Sequence, residues 1–403
     1  MRILNVTQSY APFFEFGGPP VKVRALAEGM AERGHQVSVL TADWGIDKRL
    51  KRLPAGPPAP GGPFGRSQIV NGVTAIYLPT WLHFRATSWN PALGRYLRAR
   101  LGDFDVVHVY GLYDFLGPRV AAECRLRGIP YIVEPIGMFV PIVRNIRMKR
   151  LYHRFWGRDM LSGASAIIAT AEQERDELIA GGIHPAKIRL RRNGVEAPSP
   201  LPERGPFRAQ LKIPDNATLI LFLGRLSQKK SPDLLLEAFS HLQQSPYRDV
   251  ANTHLAFVGP DEAGMKSKLI DAARARGVTD RVHFCGPLTG DAKWQAYRDA
   301  DVFVLPSQNE NFGNTAAESA VAGTPVLVTD QCGIAPLLRD RAGIVIRHNR
   351  EDLTEALSRL TSDDVLREQL RQGCATIASA LSWEAPLREM EMIYSSLASR
   401  RET

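Results

Sequence analysis

The sequence predicts an α/β protein of two domains, each built on a doubly wound parallel sheet with helices on both faces. At 403 residues the chain is too long for one ordinary core and suggests about two domains of roughly 200 residues each. Short apolar, β-rich runs alternate with segments of helical periodicity along its length, the pattern of successive βαβ crossovers. The alternation breaks at Asn193-Gly194-Val195, and the proline-rich stretch Ala197-Pro-Ser-Pro-Leu-Pro202 follows before it restarts, so this stretch is the linker. The domains are expected over residues 1–200 and 201–382.

In the first domain, residues 2–6 form the first strand, and residues 20–33 carry helical periodicity through Val21, Ala25, Leu26 and Met30. Between them stands Gly17-Gly18, with Pro19-Pro20 at the helix start. Two glycines there permit close approach of backbone to a ligand, although such a pair by itself is more often a plain turn. The second strand is 35–41. Residues 53–65 hold five prolines and four glycines, too many for regular structure, which predicts an exposed, mobile loop. Strands are expected at 72–78, 105–109, 131–134 and 164–169, with helices at 91–101, 116–127, 146–161 and 171–180. The second domain places strands at 218–223, 254–258, 282–284, 301–305, 326–328 and 343–346, each beside a helix.

Composition is that of a globular chain. Cys124, Cys285, Cys332 and Cys374 are scattered singly, without the spacing of a zinc site or a disulfide framework, which points to a reducing compartment and no metal. The N-terminus is too short in apolar residues for a signal peptide, and no run approaches a membrane span, so a cytoplasmic location is expected. The net charge of +9 is unevenly placed: residues 1–200 carry +11 and residues 201–403 carry −2. A basic first half implies an anionic partner, such as a membrane surface, a nucleic acid or an acidic substrate.

The chemistry concentrates in two stretches of the second domain. Residues 306–329 describe a loop, a short helix and a strand. Gly313 and Asn314 suit the turn into a helix beginning near Asn314, and Gly323 with Pro325 suits its end. Backbone N–H groups around Asn311, Phe312, Gly313, Asn314 and Thr315 are then available to phosphate or sugar oxygens at the C-terminal edge of the sheet. Glu310 and Glu318 flank that cradle with seven residues between them. Carboxylates repel an anion, so these two suit neutral hydroxyls beside it; taken singly, each is as well explained as a solvated charge. The second stretch, Gly224-Arg-Leu-Ser-Gln-Lys-Lys-Ser231, follows the domain's first strand and puts Arg225 and Lys230 where ligands bind in this architecture. Each charge-assisted hydrogen bond contributes ~1.5–3 kcal/mol, against ~0.3–2 for a helix terminus, so these cations would outweigh the helix dipole and stand in for a metal.

Gly-Arg-Leu-x-x-x-Lys after a strand, Glu310-x7-Glu318 with Phe312-Gly313, and Ala322-Gly-Thr-Pro-Val326 together resemble the retaining glycosyltransferases of family 4. Gly17-Gly18 is similar to that family's N-terminal glycine loop, Asn193-Gly194-Val195 to its segment before the linker, and Ser382-Trp383 to the start of its last helix, so the resemblance spans nearly the whole chain. It implies the GT-B architecture: two Rossmann-like domains facing a central cleft, an acceptor held by the first and a nucleotide-sugar by the second. A helix at 383–403 would cross back to the first domain. By position, the resemblance implies Glu318 on ribose hydroxyls, Arg225 and Lys230 on the diphosphate, and Glu310 with the backbone of Asn311 to Asn314 on the donor sugar. Retention of anomeric configuration is likewise implied by the family. No cofactor or metal is expected; the nucleotide-diphosphate sugar is a substrate, and the acceptor a carbohydrate or lipid-linked molecule of cell-surface polysaccharide or glycolipid assembly.

Two departures stand out. The loop has Glu-Asn-Phe-Gly where the common version has Glu-Gly-Phe-Gly. After strand 131–134 many relatives place a histidine near the donor sugar, and the matching position here is Ile136. His108 at the end of the preceding strand is a substitute or, more often for such a histidine, a structural residue. Two further readings follow: a GT-B-fold epimerase or phosphorylase, and a non-catalytic sugar-binding relative. An NAD-dependent oxidoreductase is disfavoured because neither domain begins with the glycine fingerprint, and a glycoside hydrolase because the anion cradle would lack a purpose.

Residues 142–158 interleave Arg144, Arg147, Lys149, Arg150, Arg154 and Arg158 with Ile146, Leu151, Tyr152, Phe155 and Trp156. Two readings are balanced: a helix resting on the inner face of the plasma membrane, or an amphipathic helix whose apolar stripe packs on the sheet. Nucleic acid is disfavoured because no recognition motif accompanies the charge.

Overall fold

The computed structural model describes residues 1–13, 18–43, 64–84, 87–140, 146–243 and 252–399. Gly17, Arg144 and most of the proline-rich segment 53–65 lie outside them. The chain divides into two compact units, Met1–Asn193 with Trp383–Thr403, and Gly194–Ser382.

The first unit contains β1 (Arg2–Val6), β2 (Gln36–Ala42), β3 (Arg66–Val70), β4 (Val73–Leu78), the hairpin strands β5 (Leu82–Phe84) and β6 (Thr87–Trp89), β7 (Val106–Tyr110), β8 (Tyr131–Glu134), β9 (Ala166–Ala169) and β10 (Ile188–Leu190). Its helices are α1 (Gly18–Glu32), α2 (Leu93–Arg100), α3 (Leu116–Arg127), α4 (Ile146–Tyr152), α5 (Arg158–Ser162) and α6 (Glu172–Ala180). The main sheet has the order β10-β9-β8-β7-β1-β2-β4-β3.

Alternation explains why both faces are covered. Leu4, Val107, Val133 and Ile167 face a core closed by α2, α3 and Met160. Their neighbours Ile3, Val106, Ile132 and Ile168 face a second core closed by α1 and by Leu387, Met390 and Tyr394 of the final helix, Glu384–Ala398. Strands buried on both sides are mostly apolar, which is why they appear as near-continuous runs, and the buried Asn5, His108 and Glu134 within them are exceptions.

One edge of this sheet departs from parallel pairing. β3 runs antiparallel to β4, with Val70 opposite Val73 across Asn71-Gly72. Both turn residues have positive φ, 48° and 78°, the two-residue turn that matches the twist of a hairpin.

The second unit is wholly parallel: β11 (Thr218–Leu223), β12 (Thr253–Val258), β13 (Val282–Gly286), β14 (Val302–Leu305), β15 (Val326–Thr329) and β16 (Gly343–Ile346), in the order β13-β12-β11-β14-β15-β16. Its helices are α7 (Pro206–Leu211), α8 (Pro232–Gln243), α9 (Met265–Ala275), α10 (Gly290–Asp299), α11 (Asn314–Val321), α12 (Ala335–Leu338), α13 (Arg350–Ser362) and α14 (Asp364–Ala378). The strand order reverses between β11 and β14. Chains leaving those two strands diverge to opposite faces and open a crevice at their C-terminal ends.

Candidate functional site

The two sequence stretches leave β11 and β14, so the reversal of strand order brings them together. After β11 the backbone makes a close crossing: a Cβ on Gly259 would stand 1.9 Å from the Gly224 carbonyl oxygen, and Gly259 has φ 142°. Only glycine fits there. The stem of Lys230 lies over Gly224, 3.1 Å from where a Cβ would be, which directs the lysine across the end of the strand. After β14 the loop is tied on both sides. Gln308 N–H donates to the Lys229 carbonyl (2.9 Å), Glu310 N–H to Gln331 (2.9 Å), and Gly333 N–H to Glu310 (3.0 Å).

These ties set the Lys230 Nζ 2.8 Å from Glu310 Oε2, with the side chains 14% and 21% exposed. Ser307 Oγ adds a hydrogen bond of 3.3 Å to the same oxygen. Burial alone would raise the Glu310 carboxyl, but the Lys230 charge overrules it and holds Glu310 below its ordinary value. Glu310 is therefore a carboxylate whose charge is locally matched.

α11 begins at Asn314 with Gly313 (φ 96°) as its N-cap, and no side chain caps it. The Thr315 hydroxyl in its first turn is buried without a hydrogen-bond partner. One turn on, Glu318 is held by Lys293 Nζ (2.9 Å) and the Tyr297 hydroxyl (2.8 Å) while 20% exposed. Burial and the Glu318 charge push the Tyr297 phenol well above its ordinary value, so it stays a donor. Lys293 and Tyr297 were missed in the sequence. Their i,i+4 spacing on α10 was the available signal.

Arg225 is 60% exposed, with Nη1 3.5 Å from Glu262 Oε2. The Phe312 side chain is 2% exposed within the core, and its carbonyl accepts from Ile334 N–H at 2.7 Å. It anchors the loop and offers a ligand no side-chain contact. Two cavities of the second unit, about 270 and 280 Å³, are lined by other residues.

In the first unit Gly18 opens α1. The other charged cluster lies one turn further along that helix. Lys22 Nζ is 2.5 Å from Glu134 Oε1, and Arg191 Nη2 donates to both Glu134 oxygens at 2.8 and 2.7 Å, all three side chains 3% exposed or less. His108 Nε2 is 3.6 Å from Glu134, its Nδ1 is 2.7 Å from the Tyr394 hydroxyl, and its ring stacks on Tyr110. It is fully buried, and burial together with the nearby cations pushes it down to about 3. His108 is thus a structural histidine and does not substitute for one at position 136. Ile136 itself has φ 57° and Gly137 φ 66°, in a turn closed by Met138 N–H to the Pro135 carbonyl. A β-branched residue in the left-handed region is strained.

A parallel sheet with a reversal of strand order, a helix N-terminus without a side-chain cap and nearby cations is the arrangement in which α/β proteins hold ligands. The family can be stated. Residues 203–375 match the model "Glycosyl transferases group 1" and residues 17–194 the model "Glycosyl transferase 4-like domain", and the chain belongs to this family of retaining, nucleotide-sugar-dependent glycosyltransferases. It is 35% identical over 240 residues to the D-inositol 3-phosphate glycosyltransferase of Streptomyces bingchenggensis, a match spanning 57% of this chain and 53% of that protein. With the enzyme of that name from Actinosynnema mirum it shares 29% identity over 404 residues, 94% of this chain and 92% of the other. The structure of Anabaena HepE in complex with UDP and glucose superposes with a TM-score of 0.72 at 17% identity, covering 98% of this chain and all of that one (100%), which shows the GT-B fold.

Proposed function

We propose that the crevice of the second unit binds a nucleotide-diphosphate sugar and that the protein transfers the sugar to a carbohydrate or lipid-linked acceptor in cell-surface polysaccharide or glycolipid assembly. The observation that carries the donor site is the Lys230–Glu310 pair (2.8 Å) beside the uncapped start of α11. Arg225 and Lys230 take the diphosphate. Glu318 accepts ribose hydroxyls, and Glu310 with the backbone of Asn311 to Asn314 takes the sugar. Thr315, whose hydroxyl lacks a partner, supplies a further donor. UDP bound to the HepE relative supports a diphosphate ligand.

In the reaction the anomeric carbon's bond to the diphosphate oxygen breaks while the acceptor oxygen bonds on the same face, and the acceptor's proton leaves. Negative charge grows on the departing phosphate as the sugar gains oxocarbenium character. Cations fixed before the reaction stabilise that charge without reorganisation. Lys230 has three N–H donors, so it can keep Glu310 while bonding the phosphate. The first unit, with the Gly17-Gly18 loop, receives the acceptor, and the protein works in the cytoplasm at an anionic membrane surface. No described helix is long and apolar enough to span a bilayer.

The test is release of free nucleotide diphosphate with an acceptor present, after a thermal-shift screen identifies the donor. Activity should survive EDTA and fall about 100- to 1,000-fold in Lys230→Ala, as for the loss of one preorganised donor. Complete loss in EDTA with rescue by magnesium would contradict the assignment, and donor binding without turnover would favour a non-catalytic relative.

A further inference from the structure

Most apolar residues of α4 and the turn after it face away from the core. Residues His153–Gly157 form a π-helical turn between α4 and α5. Tyr152, Gly157, Met160 and Leu161 face inward, while Met148, Leu151, Phe155 and Trp156 are 58%, 54%, 56% and 45% exposed. Gly157 is needed for that inward face, since a Cβ there would stand 2.7 Å from the His153 ring. A π-turn rotates the residues that follow it relative to an α-helix and is common at functional sites.

These outward side chains continue into two other segments. Trp156 meets Phe115 edge-on at 6.0 Å, and Phe115 meets Trp89 of β6 edge-on at 6.4 Å. Phe155 adjoins Trp156 at 5.8 Å. The β5–β6 hairpin adds Trp81 and Leu82, each 73% exposed. Chains that work alone in water seldom show so large a contiguous apolar surface. Charge is interleaved with it along one segment: Arg147, Arg150, Arg154 and Arg158 are exposed and, among the described residues, have no ion-pair partner. Neither 79–92 nor 146–158 contains an aspartate or glutamate.

We infer that the Trp89–Phe115–Trp156 surface, with the arginines of the segment that carries Trp156, is a bilayer-insertion face: the aromatics enter the interface of an anionic leaflet while the arginines hold its headgroups. Tryptophan, with an apolar ring and one N–H, partitions to the headgroup level, and arginine reaches lipid phosphates from the same depth. The inference deepens the acceptor-side reading above, and it adds the hairpin and Phe115 to what the basic helix alone suggested. The aromatic residues supply binding that salt does not screen, and the arginines supply binding that it does.

The experiment is sedimentation of the full chain with phosphatidylglycerol vesicles at low and high salt, without nucleotide-sugar or acceptor, so that it stands or fails apart from the transferase assignment. Wild type is expected to sediment at low salt with a blue shift of tryptophan emission, and to retain part of its binding at high salt. Arg147→Glu/Arg150→Glu/Arg154→Glu should weaken binding roughly 100-fold at low salt. Trp89→Ser/Trp156→Ser, checked for unchanged melting temperature, should lose the blue shift and the salt-resistant fraction. Wild type left in the supernatant at low salt, or unchanged binding by the tryptophan variant, overturns the inference. So does a vesicle-independent dimer, seen by sedimentation velocity, that the tryptophan variant abolishes, since the face would then belong to a second copy.

Discussion

Each unit places a lysine against a glutamate near the C-terminal edge of a parallel sheet, and the two pairs have different consequences. Lys22 and Glu134 are 2.5 Å apart and Lys230 and Glu310 2.8 Å, so distance does not separate them. Exposure and stoichiometry do. Glu134 is fully buried and takes a second cation through both oxygens from Arg191, leaving no room for a ligand. Glu310 is 21% exposed, and Ser307 is its other side-chain hydrogen-bond partner among the described residues. A saturated buried pair locks β8, α1 and the chain after β10 together; a partly open one beside a bare helix terminus keeps capacity for substrate.

The largest effect that would break this comparison is on stability. Glu134→Ala strands two buried cations and should cost about 3–5 kcal/mol, whereas Glu310→Ala should cost well under half as much and lose turnover instead. Urea denaturation and steady-state rates on both variants measure this. Equal stability losses would show that the two pairs are energetically alike.

Next in size, Glu318→Ala should weaken nucleotide-sugar binding by about 1.5–3 kcal/mol, the range for a charged hydrogen bond, with kcat much less affected. Titration calorimetry with the donor checks it. Unchanged affinity would leave Lys293 and Tyr297 as the sole purpose of that carboxylate.

Acid should loosen the first unit through two groups. Burial would raise Glu134, yet Arg191 and Lys22 overrule it and hold it down at about 2, so its contribution is complete above its ordinary 4.5 and is lost as pH falls from there towards 2. His108, held at about 3 against an ordinary 6.5, is neutral in the folded chain while the unfolded chain takes up a proton, so stability also falls as pH drops from 6.5 towards 3. In the second unit, His254, at about 4 through burial and the neighbouring His283 and Arg281, adds a slope of the same sign. Melting temperature against pH for wild type and His108→Gln should show a shallower decline for the variant between pH 6.5 and 4.5; parallel curves would remove His108 from this account.

The smallest effect sharpens the reading of the turn after β8. Ile136→Asn puts a residue tolerant of the left-handed region at φ 57° and should stabilise by up to about 1 kcal/mol. A loss measured by chemical denaturation would mean that the packing of Ile136 against the α1-side core outweighs its backbone strain.

Much of the architecture was legible in the sequence because local period and burial agree in a doubly wound sheet. Strands buried on both faces are apolar at most positions, and helices between them show one stripe. The helix after Gly313, the strands at 131–134, 218–223 and 343–346, and the two basic and acidic stretches of the second unit were visible on those grounds. The β3–β4 hairpin has a local signal of its own, Asn71-Gly72, within a sheet that is otherwise parallel. Other features were not legible. That Lys230 reaches Glu310 across 80 residues depends on strand order, which no local pattern encodes. That the Phe312 side chain is buried beneath its loop was decided by packing. The composition of residues 142–158 fits a buried amphipathic helix and an interfacial one equally, since sequence period cannot say which stripe meets the sheet; the π-turn at His153–Gly157, the hairpin beside it and the burial of Tyr152 decided that Phe155 and Trp156 face outward. Composition and period by themselves determined where strands, helices and glycine turns form, because those follow from backbone preference and local burial. Which charges meet, which are sealed and which apolar side chains stay in water was decided only by the tertiary structure, because each of these depends on distances between segments far apart in the chain.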